Sequence, residues 1–237
     1  RSVDTVSPGD PFVQLWQGII ATLIDVADEF DSQWQQRRRV LNTLLVMLFV
    51  FRLVFSNNKQ GYAITIAELW AQCAAMQVPL PQASPVSASA FCMARAKLDE
   101  NVFKQLHARI LRQYDHSGVE RQWNGHRIFA VDGSKINLPR RLIKHGYRVP
   151  SDNAHYPQGL LSCLYQLKSK IPVDFDLVAH GDERQLARTH LASLREGDVV
   201  VYDRGYFSYA MLHAHAQRGI HPILRIKTKA SSVTDAF

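Results

Sequence analysis

The sequence has little of what marks several common protein classes. Cysteine is scarce: Cys73, Cys92 and Cys163 are the only three in 237 residues, and none belongs to a C-x-x-C pair. An odd number of cysteines without such spacing gives no support to a disulfide framework or a structural zinc site. The composition therefore predicts a reduced protein of the cytoplasm.

Long apolar runs are also missing. Residues 40–51 are very apolar, but this uncharged run is only 12 residues long and Arg52 follows it. A membrane-spanning helix needs about 20 such residues. The run therefore predicts a buried helix, and we expect no membrane association.

Several functional signatures do not occur. The sequence contains neither of the phosphate-binding patterns G-x-x-x-x-G-K-[ST] and G-x-G-x-x-G, nor the nucleophile elbow G-x-S-x-G. Nucleotide binding and serine-hydrolase chemistry are therefore without support. His213 and His215 are two residues apart on a predicted helix, so they do not share a face and predict no metal pair.

Basic charge is present in excess. The chain has 28 lysines and arginines against 21 acids, a net charge of +7 and a pI near 9.5. This balance favours a polyanionic partner. The excess is uneven, because residues 133–150 hold five bases and no acid: Lys135, Arg140, Arg141, Lys144 and Arg148.

The first half of the chain has helical periodicity. It predicts helices over residues 11–30, 32–55, 87–98 and 102–114, and a capping box at Thr65 and Glu68 opens another. We predict an all-α N-terminal domain over residues 1–117. Two short helices there are compatible with a DNA-binding helix-turn-helix, and a structural bundle explains them equally well. The three consecutive arginines at residues 37–39 either form a solvent-exposed helix face or contact DNA.

Strands dominate after residue 118. Apolar runs predict strands over residues 127–131, 160–167, 171–178, 199–202 and 220–226, with helices over 183–194 and 209–218. Three antiparallel strands followed by helix crossovers to parallel strands are the order of the ribonuclease H-like fold. We therefore predict an α/β domain with a mixed sheet over residues 118–237, and the fold by itself carries no function.

Two of these buried strands end in an acid. Asp132 follows one apolar run and is followed by a Gly-Ser pair that is typical of a turn, and Asp203 follows another. The predicted topology makes these two strand ends adjacent. Two close carboxylates repel each other unless a cation lies between them, and Mg²⁺ or Mn²⁺ takes such hard oxygen ligands. The alternative is that Asp132 only forms a turn and Asp203 only ends a strand.

Four blocks carry a resemblance to a known family: residues 129–134, 180–186, 200–207 and 223–227. In this order and spacing they resemble the DDE transposases of bacterial insertion sequences, and the group whose third acid lies in a Tyr-Arg-Glu-Lys signature is the most similar. Residues 85–98 are similar to the helical DNA-binding region of that group. The resemblance covers about residues 84–227.

The resemblance implies cut-and-paste transposition of double-stranded DNA, with both the element ends and the target as partners. Asp132 and Asp203 match the first two catalytic acids and would bind two Mg²⁺ or Mn²⁺ ions. It also implies a homodimer in the DNA complex and a protein of the bacterial nucleoid. The bases that would face DNA are Arg95, Lys97, Lys135, Arg140, Arg141, Lys144, Arg148, Arg225 and Lys227.

The sequence departs from the family in one respect. The third acid of the family lies on a later helix, and Asp235 is the only acid after Asp203. Glu183 belongs to an earlier block and is not assigned that role. We therefore expect a catalytic core that is incomplete at its C-terminus, weak metal binding and no transposition by this chain alone. The alternatives are a catalytically inactive DNA-binding regulator and a ribonuclease H-like nuclease.

Overall fold

The computed structural model describes residues 11–33, 41–55, 61–117 and 122–225. The chain forms two compact units, Arg1–Val119 and Glu120–Phe237. Within the described ranges, no helix is both long enough and apolar enough to cross a membrane.

The first unit is helical. Its helices are α1 (Pro11–Ser32), α2 (Thr43–Phe55), α3 (Tyr62–Ala75), α4 (Ala88–Ala96) and α5 (Asn101–His116). The apolar α2 is its centre, because Phe49 packs with α3 and α4 while Met47 packs with α1 and α5. Both side chains are fully buried. The prediction of a buried helix here is confirmed.

The start of α2 differs from the prediction of a helix from residue 32. The helix begins at Thr43, and the side chain of Asn42 accepts a hydrogen bond from the Leu45 amide at 2.9 Å. The amide of Thr43 donates to Asp31 near the end of α1, at 3.1 Å. Polar side chains therefore mark the start of α2 at a later residue than the sequence predicted. The arginine triplet at residues 37–39 lies outside the described residues.

The predicted capping box is wrong. Helix α3 begins at Tyr62, after Gly61, and Thr65 lies within the helix with 3% of its surface exposed. Its hydroxyl donates back to the Gly61 carbonyl at 3.3 Å, and Glu68 pairs with Arg52 of α2. A buried threonine can satisfy its hydroxyl within the helix, so the S/T-x-x-E pattern did not mark a helix start here.

The second unit is a five-stranded sheet with flanking helices. Its elements are β1 (Ile128–Asn137), β2 (Gln158–Gln166), β3 (Ile171–Val178), α6 (Glu183–His190), β4 (Val199–Tyr202), α7 (Tyr209–Ala216) and β5 (His221–Leu224). The strand order is β3-β2-β1-β4-β5. The first three strands are mutually antiparallel, while β4 is parallel to both β1 and β5. The predicted ribonuclease H-like mixed sheet is confirmed.

Strand β1 is longer than predicted. Asp132 and Gly133 do not form a turn, because β1 remains paired with β2 from Phe129 to Asn137. Its pairing with β4 is shorter and ends at Ala130. At Asp132, β1 is therefore still paired with β2 but no longer with β4. The backbone that carries its carboxylate belongs to a strand and not to a loop.

The core of this unit lies between the sheet and its helices. Phe129 and Val131 of β1 pack with Ala187 of α6 and Met211 of α7 in one buried cluster. At the start of the sheet, Arg127 and Asp198 form a buried ion pair with an N–O distance of 2.5 Å. The sheet is therefore fixed at the strand starts, opposite the ends that carry the two predicted acids.

Candidate active site

Asp132 and Asp203 occupy matching positions on neighbouring parallel strands. The register pairs Ile128 with Val199 and Ala130 with Val201, and Asp132 and Asp203 each follow two residues after the last of these pairs. Adjacent strands lie about 4.8 Å apart. Both aspartates are exposed. The structure therefore brings the two predicted acids together at the carboxyl end of the sheet.

The backbone at each aspartate follows from the sequence around it. The carboxylate of Asp132 accepts a hydrogen bond from the Gly133 amide at 2.9 Å. Asp203 follows β4 and precedes a short 3-10 turn, Arg204–Tyr206, in which its carbonyl accepts a hydrogen bond from the Tyr206 amide at 3.0 Å. The valines before each acid are buried or half-buried, so the apolar run anchors the strand and the acid emerges at its end.

Tyr206 places a phenol beside these acids. Its side chain is 3% exposed, and within the described residues its hydroxyl has no hydrogen-bond partner of regular geometry. Burial raises the pKa of Tyr206, and the negative charges of Glu183, Asp132 and Asp203 raise it further, with Glu183 the strongest of the three. A single buried hydroxyl therefore lies within electrostatic reach of three carboxylates.

Glu183 is the acid that the sequence reasoning left out. It is the first residue of α6, and its carboxyl carbon lies 3.0 Å from the position that a Cβ on Gly133 would occupy. The preceding Asp182 caps the helix by accepting from the Arg184 amide at 3.1 Å. The sequence did contain a signal for Glu183, because it lies in the block of residues 180–186 that resembles the transposases. This block includes the start of α6, the helix that precedes β4.

A cleft of about 710 Å³ opens beside this edge of the sheet. Glu183 and Tyr206 line it, together with four basic or imidazole side chains: Lys135, Arg148, His180 and Arg184. Lys135 and Arg148 were predicted from the sequence to contact DNA, whereas His180 and Arg184 were not. The cleft therefore places basic side chains next to Asp182 and Glu183, whereas Asp132 and Asp203 do not line it.

The other predicted DNA-contacting bases are more dispersed. Arg140, Arg141 and Lys144 are exposed on a 3-10 helix, Arg140–His145, and do not line the cleft. Arg225 is exposed just after β5. Lys227 lies outside the described residues.

In the helical unit, Lys97 is exposed at the end of α4. Arg95 is half-buried, lies over the Tyr62 ring at 5.4 Å from its centroid and donates to its hydroxyl. Arg95 therefore has a packing partner within its own unit.

The donor set at the edge of the sheet has the chemistry that Mg²⁺ or Mn²⁺ requires. Two exposed carboxylates on fixed strand ends offer hard oxygen ligands and leave positions for water and phosphate oxygens. Across the described ranges, no three acidic, histidine or cysteine side chains already surround a common point closely enough to hold an ion. The two aspartates fit such an ion as part of its coordination shell.

A second polar cluster has the order of a catalytic triad but lies within the core. Ser162 and His190 are 3.0 Å apart, and the other ring nitrogen of His190 lies 2.9 Å from a carboxylate oxygen of Asp174. Both Ser162 and His190 are 0% exposed, so a substrate cannot reach the hydroxyl. The cluster instead attaches α6 to β2 and β3, and it thereby helps to fix the helix that carries Glu183.

Comparisons with known proteins point to one family. Residues 123–233 match the family model described as a transposase DDE domain. No curated protein sequence matches the chain significantly.

Two solved transposase structures are similar to the chain at low identity. The first is the piggyBac transposase in a synaptic complex with hairpin DNA, at 11% identity and a TM-score of 0.44, over 96% of this chain and 53% of that one. The second is a pre-cleavage Mos1 transpososome, at 9% identity and a TM-score of 0.26, over 89% and 79% of the two chains. The chain thus spans about half the length of the piggyBac chain. By its match over residues 123–233, the sheet unit of this chain is similar to transposase DDE domains.

Proposed function

We propose that this chain is a DNA transposase whose sheet unit performs metal-dependent strand cleavage and strand transfer in cut-and-paste transposition. The observation that supports the proposal is the parallel pairing of β1 with β4 up to Ala130 and Val201, two residues before Asp132 and Asp203. Two carboxylates on rigid neighbouring strand ends are a common way to hold divalent ions against a phosphodiester.

Each aspartate has a defined task in this proposal. Asp132 and Asp203 would hold the ions through their carboxylate oxygens. Bound there, two Mg²⁺ or Mn²⁺ ions supply the charge that activates a water or 3′-hydroxyl nucleophile and stabilises the leaving oxygen. The protein would contribute the spacing of the two carboxylates, because β1 and β4 are paired in one sheet.

Double-stranded DNA is the proposed partner. Lys135 and Arg148 line the cleft together with Glu183, where they can contact the phosphate backbone of bound DNA. The exposed bases of the 3-10 helix extend this positive surface along the same unit, and the helical unit, with Lys97, is the proposed second DNA contact. Pairing of two element ends calls for a homodimer in the DNA complex.

The test of the metal site is titration of the whole chain with Mn²⁺ by isothermal calorimetry. We expect weak binding that is abolished in Asp132→Asn and in Asp203→Asn, because each substitution removes an anionic ligand and keeps the side-chain shape. Duplex DNA binding should persist in both variants. Unchanged Mn²⁺ binding in both would overturn the proposal.

Activity assays separate the proposal from its alternatives. With only the two assigned aspartates, we expect no strand transfer by residues 1–237 alone; efficient metal-dependent transfer that Asp132→Ala abolishes would contradict this. Cutting without joining would indicate a ribonuclease H-like nuclease. DNA binding without any Mn²⁺ site would indicate a regulator that has kept the fold and lost the chemistry.

A further inference from the structure

We propose that the cleft beside the start of α6 is a binding site for a single unpaired guanine nucleotide. Lys135 and Arg148 bind its phosphate, and Glu183 and Tyr206 bind the edge of its base. An unpaired DNA strand end and a free nucleotide both offer this group. The inference goes beyond the proposed function, because such a site needs neither a metal ion nor strand cleavage.

The first argument is the shape and lining of the cleft. Its volume of about 710 Å³ lies within the range of pockets that hold small molecules, about 300–1,000 Å³. Residues of β1, of the loop before β2, of the start of α6 and of the turn after β4 line it. Val149, Pro150 and Leu160 add apolar surface against which the flat face of a base can pack. The cleft is therefore a concave pocket with both charged and apolar walls.

The phosphate end of the site is cationic. Lys135 and Arg148 are exposed and line the cleft. The sequence contains no glycine-rich phosphate loop, so side chains have to supply the positive charge. Lys135 lies two residues after Gly133 on the same face of β1, about 7 Å farther along the strand. A phosphate bound at Lys135 is therefore kept away from the Glu183 carboxylate, which lies against Gly133.

The base end of the site has a buried hydroxyl that calls for a partner. Tyr206 lines the cleft, and its side chain is only 3% exposed. Within the described residues, its hydroxyl has no hydrogen-bond partner of regular geometry. A buried hydroxyl without a partner destabilises a protein, so its retention points to a ligand that supplies one. Glu183 lines the same cleft and is exposed to a ligand.

Contacts with the neighbouring strands hold these two residues side by side. The carboxyl carbon of Glu183 lies 3.0 Å from the position that a Cβ on Gly133 would occupy. Its neighbour Arg184 donates from Nε to the Gly205 carbonyl at 2.8 Å, in the turn that carries Tyr206. The negative charge of Glu183 reaches the Tyr206 phenol and raises its pKa. A carboxylate and a hydroxyl therefore face the cleft together at one end.

The chemistry of these two groups selects guanine. A carboxylate accepts hydrogen bonds through both oxygens, and guanine presents two adjacent N–H groups, at N1 and N2, on the edge used in base pairing. Its O6 lies next to N1 and can accept from the Tyr206 hydroxyl. Thymine presents only one N–H on this edge. Because base pairing occupies the edge, the nucleotide that binds must be unpaired.

The experiment is a calorimetric titration of the whole chain with deoxyguanosine monophosphate, thymidine monophosphate and inorganic phosphate, all with EDTA present. We expect saturable binding that is tightest for deoxyguanosine monophosphate. Glu183→Gln should weaken this binding about tenfold, because a neutral acceptor replaces a charged one, and should not weaken the binding of inorganic phosphate. Lys135→Gln with Arg148→Gln should weaken the binding of all three ligands.

Tyr206→Phe tests the buried hydroxyl. It should weaken deoxyguanosine monophosphate binding about threefold or more without lowering the melting temperature, because the hydroxyl has no regular partner before the ligand binds. A purely structural role would instead lower the melting temperature and leave the affinity unchanged. The control is Glu196→Gln, which removes an exposed carboxylate that precedes β4 and does not line the cleft. It should leave nucleotide binding unchanged.

DNA probes identify the source of the nucleotide. Fluorescence anisotropy compares a blunt duplex with a duplex that carries a single 5′-phosphorylated guanine overhang. Tighter binding of the overhang duplex, lost in Glu183→Gln, assigns the site to a strand end. Binding of deoxyguanosine monophosphate without this difference assigns it to a free nucleotide.

Three results would overturn the inference. The first is the absence of both saturable deoxyguanosine monophosphate binding and a preference for the overhang duplex. The second is equal affinity for the two nucleotides. The third is tighter nucleotide binding by Glu183→Gln, which would show only repulsion between two anions. The proposed function is tested separately, by Mn²⁺ titration of the Asp132→Asn and Asp203→Asn variants.

Discussion

His215 shows how a single buried residue makes stability depend on pH. It is 0% exposed, and its ring nitrogens lie 3.0 Å from the Tyr202 hydroxyl and 2.8 Å from the Met211 carbonyl. Burial lowers the pKa of His215 in the folded protein, although its hydrogen bond to Met211 acts in the opposite direction. Below about pH 6.5, His215 therefore binds a proton more readily in the unfolded chain than in the folded protein. The unfolding free energy falls as the pH is lowered through this range.

We predict that His215→Leu combined with Tyr202→Phe flattens the decline in stability between pH 6.5 and 5. The contribution removed is at most about 1.4 kcal/mol per pH unit, the value for one proton. Calorimetric unfolding at several pH values measures it. Tyr202→Phe alone is the matched control, because it keeps the histidine and should keep the slope. A double variant with the wild-type slope would contradict the assignment.

A buried ion pair between Arg127 and Asp198 joins β1 and β4 just before their first residues. The side chains are 9% and 4% exposed, and Arg127 donates from Nε to Asp198 at 2.8 Å. We predict that Arg127→Met destabilises the sheet unit by about 3–5 kcal/mol, because it leaves a buried carboxylate without its cation. Hydrogen exchange of peptides from β1 and β4, followed by mass spectrometry, reports this destabilisation.

Two further variants test whether the uncompensated charge is the cause. Arg127→Met with Asp198→Leu should recover much of the stability, because no buried charge remains. Lys104→Met removes one partner of an exposed pair with Glu100, whose side chains are 66% and 82% exposed. It should cost less than about 1 kcal/mol. A similar destabilisation in the double variant would instead point to packing.

The elements themselves were largely predictable, and their ends were not. Apolar periodicity indicated the helices and strands, because burial of one face imposes that spacing. It could not show that β1 continues past Asp132, since Asp-Gly-Ser is typical turn chemistry and only pairing with β2 extends the strand. Nor could it show that Thr65 is buried inside α3. Both errors arise where tertiary contacts override a local preference.

At the scale of the whole molecule, topology predicted more of the site than the residue types did. The two aspartates could be placed together because the strand order fixes which strand ends are neighbours. Glu183 could not be placed, because its approach to Gly133 depends on the packing of α6 against β1 and on the bond from Arg184 to Gly205. A fold can be inferred from a pattern of elements, whereas the side chains that meet above it depend on how those elements pack.

The distribution of charge over the sheet unit predicts which bases bind DNA. Salt weakens DNA binding with a logarithmic slope of about 0.9 for each phosphate that a base neutralises, so Lys135→Gln with Arg148→Gln should flatten the slope by about 2. Neutralising Arg140, Arg141 and Lys144 should also flatten it, and no change would remove the 3-10 helix from the interface.

Lys168→Gln with Lys170→Gln is the matched control, because these exposed lysines lie in the β2–β3 turn, at the opposite end of β1 from Asp132. Fluorescence anisotropy with duplex DNA at several salt concentrations measures all three slopes. If the control variant flattens the salt dependence as much as the Lys135→Gln, Arg148→Gln variant does, DNA binding depends on net charge and not on the cleft.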